Sequence, residues 1–133
     1  MRILTCLFAV LAISSTANAH IILKKPFAKA YGYKTVSCYT CHKKGKDENG
    51  KTYKKSVRNE FGDAMAEALK DSDVSKRVKE AKANKDKDAR NAAYMVIIDE
   101  VLAATKKIES KKSADGKTWG ELLKAGTMEG VKK

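Results

Sequence analysis

The sequence predicts a small all-α domain. Apolar residues recur every three to four positions in segments 57–70 and 88–112, which is the spacing of one helical face. No segment alternates apolar and polar residues as a half-buried strand does, and no internal repeat is present. A chain of 133 residues is long enough for one domain. We therefore expect a few helices around a single core.

Residues 1–19 have the pattern of a secretory signal peptide. Arg2 supplies a positive charge, residues 3–13 are apolar, and an A-x-A cleavage pattern ends at Ala19. The apolar run is too short for a permanent membrane span, although an uncleaved anchor is the alternative interpretation. We expect cleavage after Ala19 and a mature domain, 20–133, exported to the bacterial periplasm without stable membrane insertion.

The first helix of the mature domain is predicted to begin at Pro26, because proline is favoured at the first helical position. Residues 27–44, FAKAYGYKTVSCYTCHKK, continue this helix and place the motif CYTCH at its C-terminal end, although Gly32 weakens it. A polar loop rich in glycine and lysine follows over residues 44–55.

Two helices of different character are expected after the loop. Residues 57–70 predict an amphipathic helix, whose apolar face consists of Val57, Phe61, Ala64, Met65, Ala68 and Leu69. Residues 71–90 are highly charged and have little apolar content. They predict a short exposed helix at 74–83 and a connector, neither of which belongs to the core.

The strongest helical pattern lies at 88–112. Its apolar face consists of Tyr94, Ile97, Ile98, Val101, Ala104 and Ile108. Acidic residues near its start and lysines near its end match the helix dipole. After a turn at Asp115 and Gly116, a last short helix containing Trp119 is expected to end at Gly126.

Cys38, Cys41 and His42 form a CxxCH motif, which several kinds of site could explain. A structural zinc site needs four ligands, and the mature chain adds only His20 as a further soft ligand. A thioredoxin-like redox pair lies at a helix N-terminus after a strand, whereas here the helical pattern precedes the pair. These two interpretations are disfavoured, and a structural protein with an incidental CxxCH is a third alternative.

Covalent haem attachment explains the motif and the predicted export together. Two thiols three positions apart reach the two vinyl groups at one porphyrin edge, and the histidine that follows is carried beneath the ring. Haem attachment in bacteria takes place outside the cytoplasmic membrane, which matches the signal peptide. Removal of Cys6 with that peptide leaves a single CxxC pair, which is a poor disulfide framework.

Three segments carry a family resemblance: CYTCHKKGK (38–46), KKSVRNEFGDAMAEAL (54–69) and DGKTWGELLKAG (115–126). They resemble small soluble monohaem c-type cytochromes of planctomycete-type bacteria, and the likeness covers most of the mature chain. It implies a cytochrome c-like helical fold around one covalently bound haem c and a function in electron transfer.

The same resemblance implies a role for each residue of the motif. Cys38 and Cys41 are the expected thioether residues, and His42 is the expected proximal ligand of the iron. The apolar faces of the helices predicted at 57–70 and 88–112 are the expected walls of the haem pocket.

The sixth iron ligand is not indicated by the motif. The common class I cytochromes supply a methionine from a proline-containing loop, but this chain has no proline after Pro26. We expect Met65, because it lies on an apolar helical face, with Met95, Met128 and His20 as the alternatives. Some cytochromes similar to this one use a cysteine, and the mature chain has no spare one. A thioether ligand raises the redox potential, whereas a second nitrogen ligand lowers it.

The formal net charge of +12 and the excess of lysine over arginine point to acidic redox proteins as partners. A solvated lysine-rich surface without a partner is the alternative. No aromatic-rich basic motif indicates nucleic-acid binding. The protein is expected to work alone or as a homo- or heterodimer.

No catalytic constellation accompanies the motif. The sequence shows neither paired carboxylates in apolar surroundings nor a Ser/His/Asp set, so we do not expect an enzyme. The expected function is single-electron transfer. The alternative is a haem protein that binds or senses NO or CO at a weak or vacant sixth position.

Overall fold

The structure, a computed structural model, describes residues 19–54 and 56–133, with side chains from residue 22 onward. The predicted signal peptide, apart from Ala19, and the side chain of His20 lie outside the described residues. Within these ranges the prediction of an all-α fold is confirmed. The helices are α1 (Ala19–Tyr31), α2 (Glu60–Ala68), α3 (Val74–Ala83), α4 (Lys87–Ile108) and α5 (Trp119–Ala125).

A short 3-10 turn and one small sheet complete the described chain. The turn spans Cys38–Thr40, and the sheet pairs β1 (Thr35–Val36) with β2 (Val131–Lys132) in antiparallel orientation. This pairing holds the C-terminal residues beside the segment that leads into the turn. None of the described helices has the length and apolarity needed to cross a membrane.

Helix α4 is the centre of the fold, and it packs against all four other helices. Its buried side chains are Ile97, Ile98, Val101, Ala104, Thr105 and Ile108. The predicted apolar face is therefore confirmed, except that Tyr94 is only partly buried. Thr105 is a polar member of this face that the apolar pattern did not include.

The prediction of a helix that begins at Pro26 and carries CYTCH is wrong in both bounds. Helix α1 begins at Ala19, contains Pro26 in its interior and ends at Tyr31. Proline keeps a helical φ, but inside a helix it removes one backbone hydrogen bond and its ring meets the carbonyl four residues earlier, so this position costs stability. Gly32 adopts a φ of 68°, the left-handed conformation in which helices commonly end. The two cysteines consequently lie on a separate turn.

Helix α3 has the predicted bounds, but the prediction that it stays outside the core is wrong. Val78 is 1% exposed, Ala81 is also buried, and the helix packs against α1 and α4. Two apolar residues three positions apart lie on one helical face, and burial of these two is enough to pack a short helix against the core. An ion pair between Arg77 and Glu100 also joins α3 to α4.

The remaining helix ends follow local rules. Helix α2 is shorter than predicted because Asn59, in an extended conformation, caps it. Helix α5 begins with a capping box between Thr118 and Glu121. It ends at Gly126, whose φ is 68°, so the predicted end of this helix is confirmed.

Candidate functional site

The CxxCH residues lie on the wall of a cavity of about 780 Å³. Cavities of roughly 300–1,000 Å³ are typical of sites for small molecules and cofactors. The CxxCH segment contributes four residues to this wall: Cys38, Thr40, Cys41 and His42. The helices and Leu69, which directly follows α2, contribute apolar residues; those in helices are Leu23, Phe27, Phe61, Met65, Val74 and Val101.

The 3-10 turn fixes the spacing of the two cysteines. The carbonyl oxygen of Cys38 accepts the backbone N–H groups of Cys41 at 3.3 Å and of His42 at 3.1 Å. Ser37 caps the turn, because its hydroxyl oxygen accepts the N–H of Tyr39 at 3.2 Å. The motif is thus folded into a single tight turn, and both of its cysteines line the cavity.

His42 is held between the turn and the segment that precedes α2. Its side chain is buried, with 7% of its surface exposed, and it lines the cavity. Its backbone forms an antiparallel bridge with Arg58, and Lys43 donates its N–H to Val57 at 3.0 Å. These pairings fix the direction of the chain at His42.

Asn59 connects the CxxCH turn to helix α2. Its side-chain amide donates to the carbonyls of Tyr39 at 2.9 Å and Thr40 at 3.1 Å. Its backbone N–H donates to the carbonyl of Cys41 at 3.0 Å. Its side-chain oxygen accepts the N–H of Gly62 at 2.9 Å, which caps α2. One residue therefore sets the position of α2 relative to the turn.

Two glycines allow the close approach of other segments to the turn. A Cβ at Gly62 would lie 2.0 Å from the carbonyl oxygen of Cys41. A Cβ at Gly130, where φ is 79°, would lie 2.5 Å from the backbone nitrogen of Thr40. The carbonyl of Gly130 also accepts the N–H of Ser37 at 2.7 Å. Only residues without a side chain fit these two positions.

The sequence reasoning did not identify Asn59, Gly62 or Gly130. An asparagine directly before an amphipathic helix is a recognisable N-cap signal. A glycine inside a helix such as α2 often has a packing reason, which was the available signal for Gly62. The role of Gly130 depends on contacts with residues far away in the sequence, so local pattern carried no signal for it.

The structure separates the candidates for the sixth ligand. Met65 lines the same cavity as the CxxCH residues. Met95 is 57% exposed, and Met128 is partly buried against the core; neither of them lines the cavity. The side chain of His20 lies outside the described residues. Among the described candidates, Met65 is thus the one that shares a cavity with His42.

Both cysteines are free thiols in the structure. Burial raises the pKa of the Cys41 thiol to about 11; the nearby Cys38 acts in the same direction, and Arg58 opposes them. Cys41 is therefore protonated at neutral pH, in contrast to the low-pKa thiolates of thioredoxin-like pairs. No α-helix begins at the pair, since α1 ends before it and the next helix starts at Glu60.

The described residues, 19–54 and 56–133, contain no group of three or more His, Cys, Asp or Glu side chains arranged to hold a bare metal ion.

Cationic side chains surround the mouth of the cavity. They are Lys24, Arg58, Lys70, Lys76 and Lys79, and the acidic residues among the lining are the exposed Asp73 and Glu80. We call these five cations the basic rim. Two of them form exposed ion pairs, Lys70 with Glu67 and Lys76 with Glu80.

The residues present fit a covalently attached haem. The macrocycle is flat and apolar, and the helices supply aromatic and aliphatic walls. Its two carboxylates are anionic, and the mouth carries the basic rim. The hydroxyl of Thr40, a residue of the same wall, is buried and has no hydrogen-bond partner among the described residues.

Comparison with known proteins assigns no relationship. No family model matches the chain, and neither a curated protein nor a solved structure is significantly similar to it.

Proposed function

We propose that the protein is an exported monohaem c-type cytochrome that carries single electrons between redox proteins. The observation that carries this proposal is the position of Cys38, Cys41 and His42, which lie together on the wall of one largely apolar cavity. The CxxCH spacing has a specific chemical meaning only if all three side chains can reach one porphyrin. The cavity supports that requirement.

Each residue of the motif has a defined role in this proposal. The thiols of Cys38 and Cys41 would hold the haem through thioether bonds to its two vinyl groups, with each thiol hydrogen taken up by the neighbouring vinyl carbon. The imidazole of His42 would bind the iron. The bound haem supplies an iron that alternates between the ferrous and ferric states. The side chain of Asn59 donates hydrogen bonds to two carbonyls of the turn, and these bonds fix the relative positions of the three residues.

The surrounding side chains support electron transfer rather than catalysis. Phe27, Phe61 and Val101 are buried apolar residues of the wall, and such a wall would limit reorganisation of solvent when the charge of the iron changes. The acidic lining residues, Asp73 and Glu80, are exposed and do not form an acid–base pair in apolar surroundings. Electron transfer needs no such pair.

The basic rim supports acidic proteins as partners. Five cations outnumber the two lining carboxylates, Asp73 and Glu80, so the opening has an excess of positive charge where an electron would enter or leave. Such a field steers negatively charged surfaces toward it. A location outside the cytoplasmic membrane is part of the proposal, because that is where bacteria attach haem to CxxCH motifs.

An optical spectrum of the exported protein, in the oxidised and reduced forms and with CO added to the reduced form, tests this function. We expect a six-coordinate low-spin haem that is reduced and reoxidised reversibly and is unaffected by CO. A reduced protein that binds CO readily would contradict simple electron carriage.

A second function, binding of NO or CO, is favoured by one specific contact. The sulfur of Met65 lies 3.5 Å from the hydroxyl oxygen of Thr105 on α4, and the proton of that hydroxyl is donated to the carbonyl of Val101 at 2.8 Å. A sulfur that packs against α4 would have to leave this contact to bind an iron, so the sixth position would be weakly held and accessible to a small gas. The CO arm of the same experiment decides between the two functions.

A further inference from the structure

The first half of helix α4 is apolar on every side. Residues 92–98, AAYMVII, are seven consecutive apolar residues. Ile97 and Ile98 are buried in the core, whereas Met95 and Val96 are 57% and 60% exposed. Apart from Tyr39, no other large apolar side chain of the described residues is exposed. A helix that is apolar all round is normally buried all round, so we expect a second contact on this side of α4.

The exposed residues of this run belong to one continuous side of the helix. At 3.6 residues per turn, the side of α4 opposite Val101 carries exposed residues from both halves of the helix. We call them the outer face of α4: Ala92, Met95, Val96, Asp99 and Ala103. Val101 lines the cavity that contains the CxxCH residues, so the outer face points away from that cavity. A partner on the outer face therefore leaves the basic rim accessible.

Opposite charges lie at the two ends of the outer face. Asp88 is in the first turn of α4 and Lys106 is in its last turn, and both are on the same side of the helix as the outer face. Both are exposed, and neither takes part in an ion pair of the described residues. Asp88 precedes Ile97 by nine positions, and Lys106 follows it by nine. The negative and the positive charge are thus equally far from Ile97.

This spacing matches a second copy of the same chain. If two α4 helices cross antiparallel at Ile97, a two-fold axis places Asp88 of each copy opposite Lys106 of the other. The apolar residues of the two outer faces then meet around the axis. Each helix has 22 residues and is about 33 Å long, so the apolar centre and both charge pairs fit within its length. The outer face is therefore complementary to itself in this one register.

A groove at the C-terminal end of the outer face extends the complementarity. It has a volume of about 730 Å³ and lies between α4, the end of α1 and α5. Lys106 and Lys124 are its cations. Of its two acidic residues, Asp99 and Glu109, the second already accepts the hydroxyl of Tyr31 at 3.0 Å. In the antiparallel arrangement, the acidic first turn of the second α4 lies at this groove.

We propose that the protein forms a symmetric homodimer through the outer faces of α4. The contact buries apolar side chains that are exposed in the single chain, and it forms the pair of Asp88 with Lys106 twice. The formal charge of +12 opposes the association of two copies, but physiological salt screens charges more than about 8 Å apart. The inference does not depend on the proposed function, because no residue of the outer face lines the haem cavity.

Sedimentation equilibrium of the exported protein at about 0.15 M salt tests the dimer. We expect a reversible dimer in the wild type and a monomer in the double variant Met95→Glu, Val96→Glu. Melting curves establish that this variant is folded. A wild type that stays monomeric up to about 1 mM would overturn the proposal, whether the outer face then binds another protein, a lipid surface or nothing. A double variant that dimerises like the wild type would also overturn it.

Charge reversal tests the partner and the register together, and it leaves the apolar residues unchanged. Asp88→Lys places two lysines opposite each other at both ends of the contact, and Lys106→Asp places two aspartates there. Each variant alone should dimerise about tenfold more weakly than the wild type, because symmetry repeats the repulsion. An equimolar mixture of the two variants should form heterodimers with the affinity of the wild type, since each lysine again faces an aspartate.

The matched control is Lys107→Asp, which changes the net charge as Lys106→Asp does but lies outside the outer face. It should leave the dissociation constant of the dimer unchanged. A mixture of the two charge variants that associates no better than each variant alone would overturn the proposal.

Asp99 provides an independent test of the register. In the antiparallel arrangement the two copies of Asp99 lie about 6 Å apart along the helix axis, and like charges at this distance oppose association. Asp99→Asn should therefore lower the dissociation constant. An equal or higher dissociation constant would show that the helices do not cross at Ile97 and would overturn the proposed dimer.

Discussion

Gly62 lies so close to Cys41 that a Cβ on the glycine would be 2.0 Å from the carbonyl oxygen of the cysteine. Real Cβ atoms do not approach a backbone oxygen so closely, so helix α2 reaches the CxxCH turn only because this position has no side chain. One helical turn later, Met65 faces the same cavity as the turn. The contact at Gly62 thus sets where Met65 lies relative to His42.

Gly62→Ala should separate α2 from the turn. We expect a loss of about 2–3 kcal/mol in the free energy of unfolding, in the upper part of the usual range for overpacking, because the new Cβ would meet backbone atoms. Denaturant unfolding of the purified protein measures it. Gly120→Ala is a matched control at another helical glycine, where the nearest atom to the new Cβ would be 3.1 Å away, and it should cost much less. Equal effects of the two changes would contradict the assigned contact.

Asn59→Ala should affect the helix and the turn together, because one side chain caps α2 and holds two carbonyls of the turn. Loss of the cap alone costs about 1–2 kcal/mol. Asn59→Asp separates the two roles, since a carboxylate keeps the capping oxygen but removes the amide donor.

Hydrogen exchange provides the measurement for Asn59. In Asn59→Asp, the amide protons of Cys41 and His42 should exchange faster than in the wild type, while the first turn of α2 stays protected. Unchanged exchange of these two amide protons would show that the side chain of Asn59 does not hold the turn in place.

Contacts such as these mark the limit of what local pattern can predict. The buried face of α4 was predictable, because its apolar residues follow the helical period over many turns, which places them on the one face that packs against the core. The position of the CxxCH turn was predicted wrongly. Gly32 adopts a left-handed conformation and ends α1, whereas the sequence pattern indicated only that this glycine weakens a continuing helix. The burial of α3 was missed because two apolar residues among many charges give little signal.

Some residues of the candidate site were likewise predictable from the sequence, and others were not. Cys38, Cys41 and His42 were recognisable because adjacent positions carry the motif. Met65 was chosen by its direction on a helix, and the structure brings it to the same cavity. Asn59 and Gly130 act across long sequence separations, through backbone groups that every residue has. Their roles therefore required the three-dimensional arrangement.

His42→Ala should remove the proximal ligand and leave a gap in the buried wall. We expect the six-coordinate low-spin spectrum to disappear and the free energy of unfolding to fall by up to about 3 kcal/mol. Added imidazole, which can enter the gap, should restore much of the spectrum. A variant with the wild-type spectrum and melting temperature would mean that His42 is not the ligand.

Charge reversal at the basic rim should slow electron exchange with an acidic redox protein. Lys76→Glu combined with Lys79→Glu places negative charge at the mouth of the cavity. We expect a decrease of about tenfold in the bimolecular rate at low ionic strength, and a smaller decrease as salt is added. Stopped-flow absorption measures both rates.

The matched control changes Lys85 and Lys87 to glutamate. These lysines are exposed and do not line the cavity, so the net charge changes equally while the rim is preserved. If the control slows the reaction as much as the rim variant does, overall charge and not the rim governs the association.

We propose above all that Cys38 and Cys41 together bind one haem. Mass spectrometry tests this most directly, on protein exported from a bacterium that has haem-attachment machinery. We expect an intact mass raised by one haem under denaturing conditions, with the addition on the peptide that contains both cysteines. The double variant Cys38→Ser, Cys41→Ser should lack the addition. A wild-type protein that carries no covalent haem, while a known c-type cytochrome made in the same cells does, would contradict the claim.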